Sequence, residues 1–356
     1  MDIRELGEFG LIERLGAMVQ VRKGVRIGIG DDAALLDALS LPIVTCDALV
    51  ENVHFRRDWT TARNLGYKAL AVNISDIAAM GGRPVAAFVI LSLGTEDDRA
   101  FVEQLYHGLE DAARQFGLTI AGGDTVRSMS GLHLGITIIG EAARPILRSG
   151  ARPGDILLVT GTLGDSAAGL SLLQQTNKLT IHVSAMPEMT RKFVLSRHHL
   201  PTPRIREMEA TLNALNGHIG MHAVYPGEPD ADNRYGLAAA VDLSDGLLGD
   251  AAHIAQRSEV TLEIEVERLP ISEESRVVAK ALGKDALDWA LRGGEDYELL
   301  LCVVPEEVER VRSSIEQETG TKVTAIGRCV KREINDIMLI GTNGSRQAAF
   351  GAYTHF

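Results

Sequence analysis

Basic charge, aromatic rings, cysteine and long apolar runs are all scarce in this chain of 356 residues. Its 36 Lys and Arg stand against 48 Asp and Glu, a net charge of −12. No basic stripe is therefore available to neutralise nucleic-acid phosphates, and nucleic acid is excluded as a partner. An acidic protein that handles phosphates needs metal ions to reverse the local field. Aromatics make up only 4% while glycines number 36, which favours an alternating α/β or α+β enzyme over a helical bundle. Cys46, Cys302 and Cys329 are too widely spaced for a disulfide or zinc framework. There is no signal-peptide pattern and no long uncharged apolar run, so a soluble, cytoplasmic protein without a membrane partner is expected. The usual nucleotide signatures are missing as well: no G-x-x-x-x-G-K-[ST], no G-x-G-x-x-G, no H-R-D with D-F-G. The length suggests about two domains.

What the chain has instead is aspartate beside glycine. Gly28-Ile29-Gly30-Asp31-Asp32-Ala33-Ala34-Leu35-Leu36 sets two adjacent carboxylates after a glycine turn. Glycine permits a tight turn and close approach to a ligand, and neighbouring carboxylates are most easily kept ionised by a hard cation such as Mg²⁺. Alone, an Asp-Asp pair after a turn is more often a solvated loop.

Phe9, Ile12 and Leu15 have helical spacing and need only a packing role. Residues 41–46 read as a short strand ending in Asp47, at the rim of a sheet. His54, judged on its context, is a structural histidine. Residues 61–80 read as one helix, stopped by Gly81-Gly82 and Pro84 and apolar nearly all round, hence buried. Asn73 and Asp76 share a face of it, and a buried carboxylate must be protonated, paired or on a metal. Residues 86–93 and 132–141 read as strands, and 97–116 as an amphipathic helix carrying Tyr106. A further strand runs from Leu118 into Gly122-Gly123-Asp124-Thr125.

The turn formers of 148–155 mark a boundary, giving domains 1–148 and 149–356. Beyond it, 156–160 is a strand, and Asp165 near the start of a helix over 167–175 is an ordinary βα turn. Residues 176–210 read as a helix followed by a turn. His218 and His222 have no partners in a zinc pattern, and 213–235 reads as a surface insertion. A strand over 237–241 ends in Asp242-Leu243-Ser244-Asp245-Gly246, followed by a helix over 247–257. Gly293-Gly294-Glu295-Asp296-Tyr297-Glu298-Leu299 repeats the pattern, and Phe350 opens an aromatic tail suited to packing or to stacking on a planar ring. The shared settings of Asp31, Asp32, Asp47, Asp76, Asp124, Asp242 and Asp245 suggest one pocket. Oxygen ligands in that number suit Mg²⁺, and several Mg²⁺ ions with glycine turns suggest a nucleoside triphosphate.

Taken together, the Gly-Ile-Gly-Asp-Asp, Asn73-Ile-Ser-Asp-Ile-Ala-Ala-Met-Gly81, Gly122-Gly-Asp-Thr125, Asp242-Leu-Ser-Asp-Gly246 and Gly293-Gly-Glu-Asp-Tyr-Glu-Leu299 motifs resemble the thiamine-monophosphate kinase family. That family lies in the superfamily of aminoimidazole ribonucleotide synthetase and selenophosphate synthetase. The resemblance spans nearly the whole chain and implies a two-domain α/β fold of α+β type. Its N-terminal sheet would form a homodimer interface, beside a C-terminal α/β domain. It implies Mg-ATP held by Asp32, Asp47, Asp76, Asp124, Asp242 and Asp245, with Asp31 assisting and Thr45 and Cys46 beside them. Tyr106, Gly123, Arg148 and Ser244 match nucleotide-contacting positions, and His54, Glu295 and Phe350 match the places that receive thiamine phosphate. Cys46 replaces the family's usual Thr, where a backbone carbonyl contact would survive. The number of Mg²⁺ ions and any K⁺ requirement stay open. Two other readings stand beside this one: a superfamily relative that activates a different acceptor with ATP, and a non-enzymatic cation or nucleotide sensor.

Overall fold

Period-two apolar patterns build the first half of the chain. The computed structural model describes residues 3–30, 32–94, 97–175, 186–215 and 236–351. It divides into one unit of Met1–Ile77 with Gly82–Ala143 and a second of Ala78–Gly81 with Arg144–Phe356. In the first, α1 (Ile3–Gly16) precedes a small ladder of β1 (Val25–Ile27) and β2 (Leu35–Leu36). There follow β3 (Pro42–Val50), α2 (Ala62–Ala79), β4 (Arg83–Leu93), α3 (Arg99–Phe116), β5 (Thr119–Arg127) and β6 (His133–Glu141). The sheet order is β3-β6-β4-β5, with only β4 and β5 parallel.

One face of this sheet is core, with Ile43, Leu49, Ala87, Val89, Leu91, Leu134, Ile136 and Ile138 all buried. Asp98 caps α3 by accepting from Phe101 N–H, and Gly117 ends it in a left-handed conformation. Helices α2 and α3 touch at backbone level: a Cβ on Gly66 would strike the Leu105 carbonyl, and one on Gly108 the Arg63 carbonyl. Two sequence expectations change here. The strand expected to stop at Asp47 continues to Val50, because β6 keeps pairing through Asp47↔Ile136 to Val50↔His133. Likewise Gly122-Gly123 does not end β5, which stays paired with β4 as far as Leu93↔Arg127.

The second unit is a seven-stranded sheet, ordered β13-β12-β9-β11-β7-β10-β8 and antiparallel except for β12 and β9. Its elements are β7 (Ile156–Thr160), α4 (Asp165–Gln174), α5 (Glu188–His199), α6 (Ile205–Leu215), β8 (Leu237–Asp242) and α7 (Leu247–Arg257). Then come β9 (Val260–Glu265), α8 (Glu273–Leu282), α9 (Ala286–Arg292), β10 (Leu299–Val303), α10 (Val308–Thr319), β11 (Val323–Lys331), β12 (Ile337–Ile340) and β13 (Arg346–Ala349). Helices cover both faces. Leu157, Val159, Val241, Leu300 and Cys302 pack with Leu247, Ile254 and Leu291 on one side. Leu158, Ala240, Leu299 and Leu301 pack with Met208, Val311 and Ile315 on the other. That is why β10 reads Leu-Leu-Leu-Cys-Val with no polar alternation.

The region expected to be one helix and a turn holds two helices, α5 and α6, split at Pro201 and Pro203. The expected insertion begins inside a helix: Asn213, Ala214 and the buried Leu215 are the last residues of α6, and 216–235, with His218 and His222, lie outside the described residues. Among the described residues no helix is long and apolar enough to cross a membrane.

Candidate active site

In the first unit β3 and α2 bring the polar groups of the core face together. Asp47 N–H donates to Asn73 Oδ1 at 2.9 Å, and the Thr45 hydroxyl donates to Asp76 Oδ2. Asn73 is buried and also donates to the Ala69 carbonyl at 3.0 Å, while Asp76, expected to be buried, is only half-buried. Strand alternation places Thr45 and Asp47 on one face of the sheet, where Asp76 and Asn73 of α2 meet them. Cys46 points to the other, where the Thr137 hydroxyl donates to its Sγ at 3.4 Å. Register aligns Asp124 with Ile90, Gly135 and Ala48, so Asp124 also lies on the face away from Asp47. Gly123 and Asp32 are exposed, and Asp31 lies outside the described residues. Tyr106 is a core residue of α3, its phenol pushed up to about 12 by burial. His54 accepts from Val50 N–H at Nδ1 (3.0 Å), which leaves the proton of a neutral ring on Nε2.

In the second unit three loops are stitched into one polar centre. Glu295 N–H donates to the Ser244 carbonyl at 2.7 Å, Tyr297 N–H to Leu243 at 2.9 Å, and Leu243 N–H to Glu298 at 2.8 Å. This zipper needs Gly294, since a Cβ there would collide with the Ser244 carbonyl. The Asp242-Leu-Ser-Asp and Gly-Gly-Glu-Asp-Tyr-Glu motifs are thus one backbone-bonded structure. Asp296 ties in the third loop, accepting from Gly164 N–H at 2.7 Å and Ser166 N–H at 3.2 Å, and its carboxyl is pushed up to about 8, chiefly by burial. Glu298 is buried beneath, taking hydrogen bonds from Thr160, Arg197 and Arg204. Phe350, beyond β13, is 69% exposed.

Asp242 ends β8 buried, with Asp245 half-buried beyond it. Asp250, which the sequence reading passed over, completes the group: its Oδ2 accepts from Asp245 N–H at 3.0 Å. Its pKa is pushed up to about 8 by burial and then by the charges of Asp242 and Asp245, with Arg148 opposing. The signal was available, because Asp250 is a lone carboxylate in the apolar start of α7, as Asp76 is in α2. Arg148 is exposed and pinned nearby, its carbonyl accepting from Ser258 Oγ at 3.1 Å.

Among the described residues no group of three His, Cys, Asp or Glu side chains is gathered to hold a metal by itself. The donor chemistry nevertheless suits Mg²⁺, which binds through one or two carboxylates and completes its shell with water and phosphate oxygens. The carboxylates of Asp242, Asp245 and Asp250 repel one another, a charge that such a cation would relieve.

Each unit contains the match to one of two known domain models. The family described as AIR synthase related protein, N-terminal domain, matches residues 30–142, and its C-terminal domain matches 220–340. The fold is that of an AIR synthase-related protein. Within that class, the chain belongs to the thiamine-monophosphate kinase family. It is 37% identical over 357 residues to the thiamine-monophosphate kinase of Escherichia coli (strain K12), covering 98% of each chain. The crystal structure of thiamine-monophosphate kinase from Stenotrophomonas maltophilia K279a superposes with TM-score 0.77 at 35% identity, covering 98% of this chain and 99% of that one. The structure described as AaThiL complexed with AMPPCP and TMP superposes with TM-score 0.72 at 32% identity, covering 100% and 99%.

Proposed function

We propose that this protein phosphorylates thiamine monophosphate with ATP, giving thiamine diphosphate and ADP. The observation that carries this reading is kinship with thiamine-monophosphate kinases over the full length, including a relative solved with AMPPCP and TMP. A terminal phosphate oxygen of thiamine monophosphate attacks the γ-phosphorus of ATP in line. The new P–O bond forms as the bond from the γ-phosphorus to the β,γ-bridging oxygen breaks. The nucleophile is already ionised, so the protein needs no strong general base, and its contribution is placement and charge balance. In the first unit Mg²⁺ would be held by Asp32, Asp47 and Asp76, with Thr45 beside them, and in the second by Asp242 and Asp245; Asp124 and Cys46, on the opposite face of the sheet from Asp47, stand outside the first set. When bound, it neutralises phosphate charge and orients the transferred group. In the second unit Arg148 offers an exposed guanidinium to an anionic nucleotide and Ser244 a further contact; in the first, exposed Gly123 is a candidate contact, whereas Tyr106 is packed in the core of α3 and is not one. Glu295 sets a carboxylate against the cationic thiazolium ring, and Phe350 an exposed ring for stacking. His54, in the first unit, is a separate candidate for contact with the acceptor.

The same reading covers a cytoplasmic location, domains at 1–148 and 149–356, and a homodimer through the outer face of the β3-β6-β4-β5 sheet. That face shows Val44, Ile90 and Val126 at 64%, 52% and 43% exposure, an apolar stretch suited to burial against a second copy. The deciding experiment incubates the protein with Mg-ATP and thiamine monophosphate, and with thiamine in parallel, then separates the fluorescent oxidised products. Thiamine diphosphate formed from the monophosphate alone is expected, and Asp47→Asn is expected to abolish it in a folded protein. No product from either acceptor overturns the assignment. Repeating the assay with K⁺ exchanged for Na⁺ decides the monovalent-ion requirement.

A further inference from the structure

Glu295 and Tyr297 both sit at positive φ, 66° and 52°. Non-glycine residues seldom occupy this left-handed region, and where they do the surrounding structure must hold them there. Here it does so through the Ser244 and Leu243 carbonyls and through Asp296 on the 164–166 turn. Those bonds fix the backbone. The Glu295 side chain, 27% exposed, meets a different residue.

That residue is His198, at the end of α5 and only 6% exposed. Its Nδ1 lies 3.3 Å from Glu295 Oε2 and 3.0 Å from Ser166 Oγ. A carboxylate can only accept, so the proton of the shared contact belongs on Nδ1. Both partners meet the same ring nitrogen, which rules out a nucleophile–base–acid relay, since such a relay uses opposite nitrogens of the imidazole. Ser166 is itself buried, and its N–H is tied to Asp296. The geometry is that of a brace.

We propose that His198 is a positioning residue for acceptor recognition: its Nδ1–H, steadied by Ser166, holds the Glu295 carboxylate in the one orientation that meets the cationic ring of the acceptor. This rests on the thiamine monophosphate kinase reading. A glutamate side chain otherwise spreads over several rotamers, and fixing it beforehand removes that ordering cost from substrate binding. The effect falls on binding of the acceptor and leaves ATP and the transfer step alone.

The test is steady-state kinetics with thiamine monophosphate and ATP varied separately, on the wild type, His198→Leu and His198→Asn. Asparagine keeps an N–H close to the position of Nδ1, and leucine removes it. His198→Leu is expected to raise KM for thiamine monophosphate about tenfold, with kcat and KM for ATP changed by less than about twofold, and His198→Asn to restore most of the loss. An unchanged KM in His198→Leu, equal defects in both variants, or a defect shared with ATP overturns the proposal. If His198→Leu does not fold, Ser166→Ala carries the test, with an expected rise of about twofold to threefold in the same KM and an unchanged KM overturning it. A wild type without turnover overturns the kinase reading and this inference together. Wild-type turnover with an indifferent His198→Leu overturns the inference alone.

Discussion

Replacing Arg204 by methionine tests the account of the buried charges under the 293–298 loop. Arg204 meets both oxygens of Glu298, with Nε at 2.7 Å and Nη2 at 2.5 Å, and reaches Glu207 at 3.1 Å. Glu298 is fully buried and Glu207 is 5% exposed. Burial would raise the Glu298 carboxyl, but Arg204 and then Arg197 outweigh it and hold the group below the usual carboxylate range. Arg197 is already divided between Glu298 at 2.5 Å and Asp165 at 3.7 Å, so it cannot replace Arg204. Methionine conserves most of the volume, and the loss is therefore electrostatic. Stranding a buried carboxylate costs about 3–5 kcal/mol. At about 2–4 °C per kcal/mol for a unit of this size, the melting transition is expected to fall by about 6–20 °C. The pH dependence follows from the sign of the shift. In the wild type the Glu298 contribution is present above the ordinary carboxylate range and is lost as pH falls through the depressed pKa. In Arg204→Met that pKa moves up, so the deficit against wild type shrinks on acidification from neutrality. Adding Glu298→Gln should recover part of the loss. Calorimetry and urea unfolding over a pH series provide the measurement. A deficit below about 1 kcal/mol, constant with pH, would refute the reasoning.

Three further outcomes are expected. Burial raises Asp296 to about 8, so its contribution to stability is complete below the ordinary carboxylate value and is lost as pH rises through about 8. Asp296→Asn should flatten that decline of up to about 1.4 kcal/mol per pH unit, measured as Tm against pH, and an unaltered slope counts against it. Gly108→Ala gains up to about 1 kcal/mol of helix propensity. It also drives a methyl into the Arg63 carbonyl, where overpacking costs about 1–3 kcal/mol, so net destabilisation in urea is expected and a stabilised variant would contradict the α2–α3 contact. Ile90→Glu should convert a dimer into a monomer by light scattering, and a wild type that is already monomeric removes the interface.

The acidic motifs were legible because their chemistry is local. Glycine beside aspartate, a lone carboxylate in an apolar helix and turn formers at a boundary are visible within about ten residues, the range over which helical and strand patterns repeat. The strands at 156–160 and 237–241 and the helix at 247–257 were legible for the same reason, the second strand running one residue further, to Asp242. Family resemblance extended that reading to ATP and its acceptor. Asp47 and Asp124 show where local pattern runs out. Each looked like a strand end, yet β6 and β4 carry the pairing past them.

From the sequence alone came most of the element types, the acidic motifs and the family. Tertiary structure alone decided which groups meet: Asp47 with Asn73 on one face of a sheet and Cys46 on the other, Asp250 with Asp245, and His198 with Glu295 across 97 residues of chain. A shift of one residue in strand register turns every side chain to the opposite face. Such register, and contacts between distant loops, are set by partners that no local stretch of sequence contains.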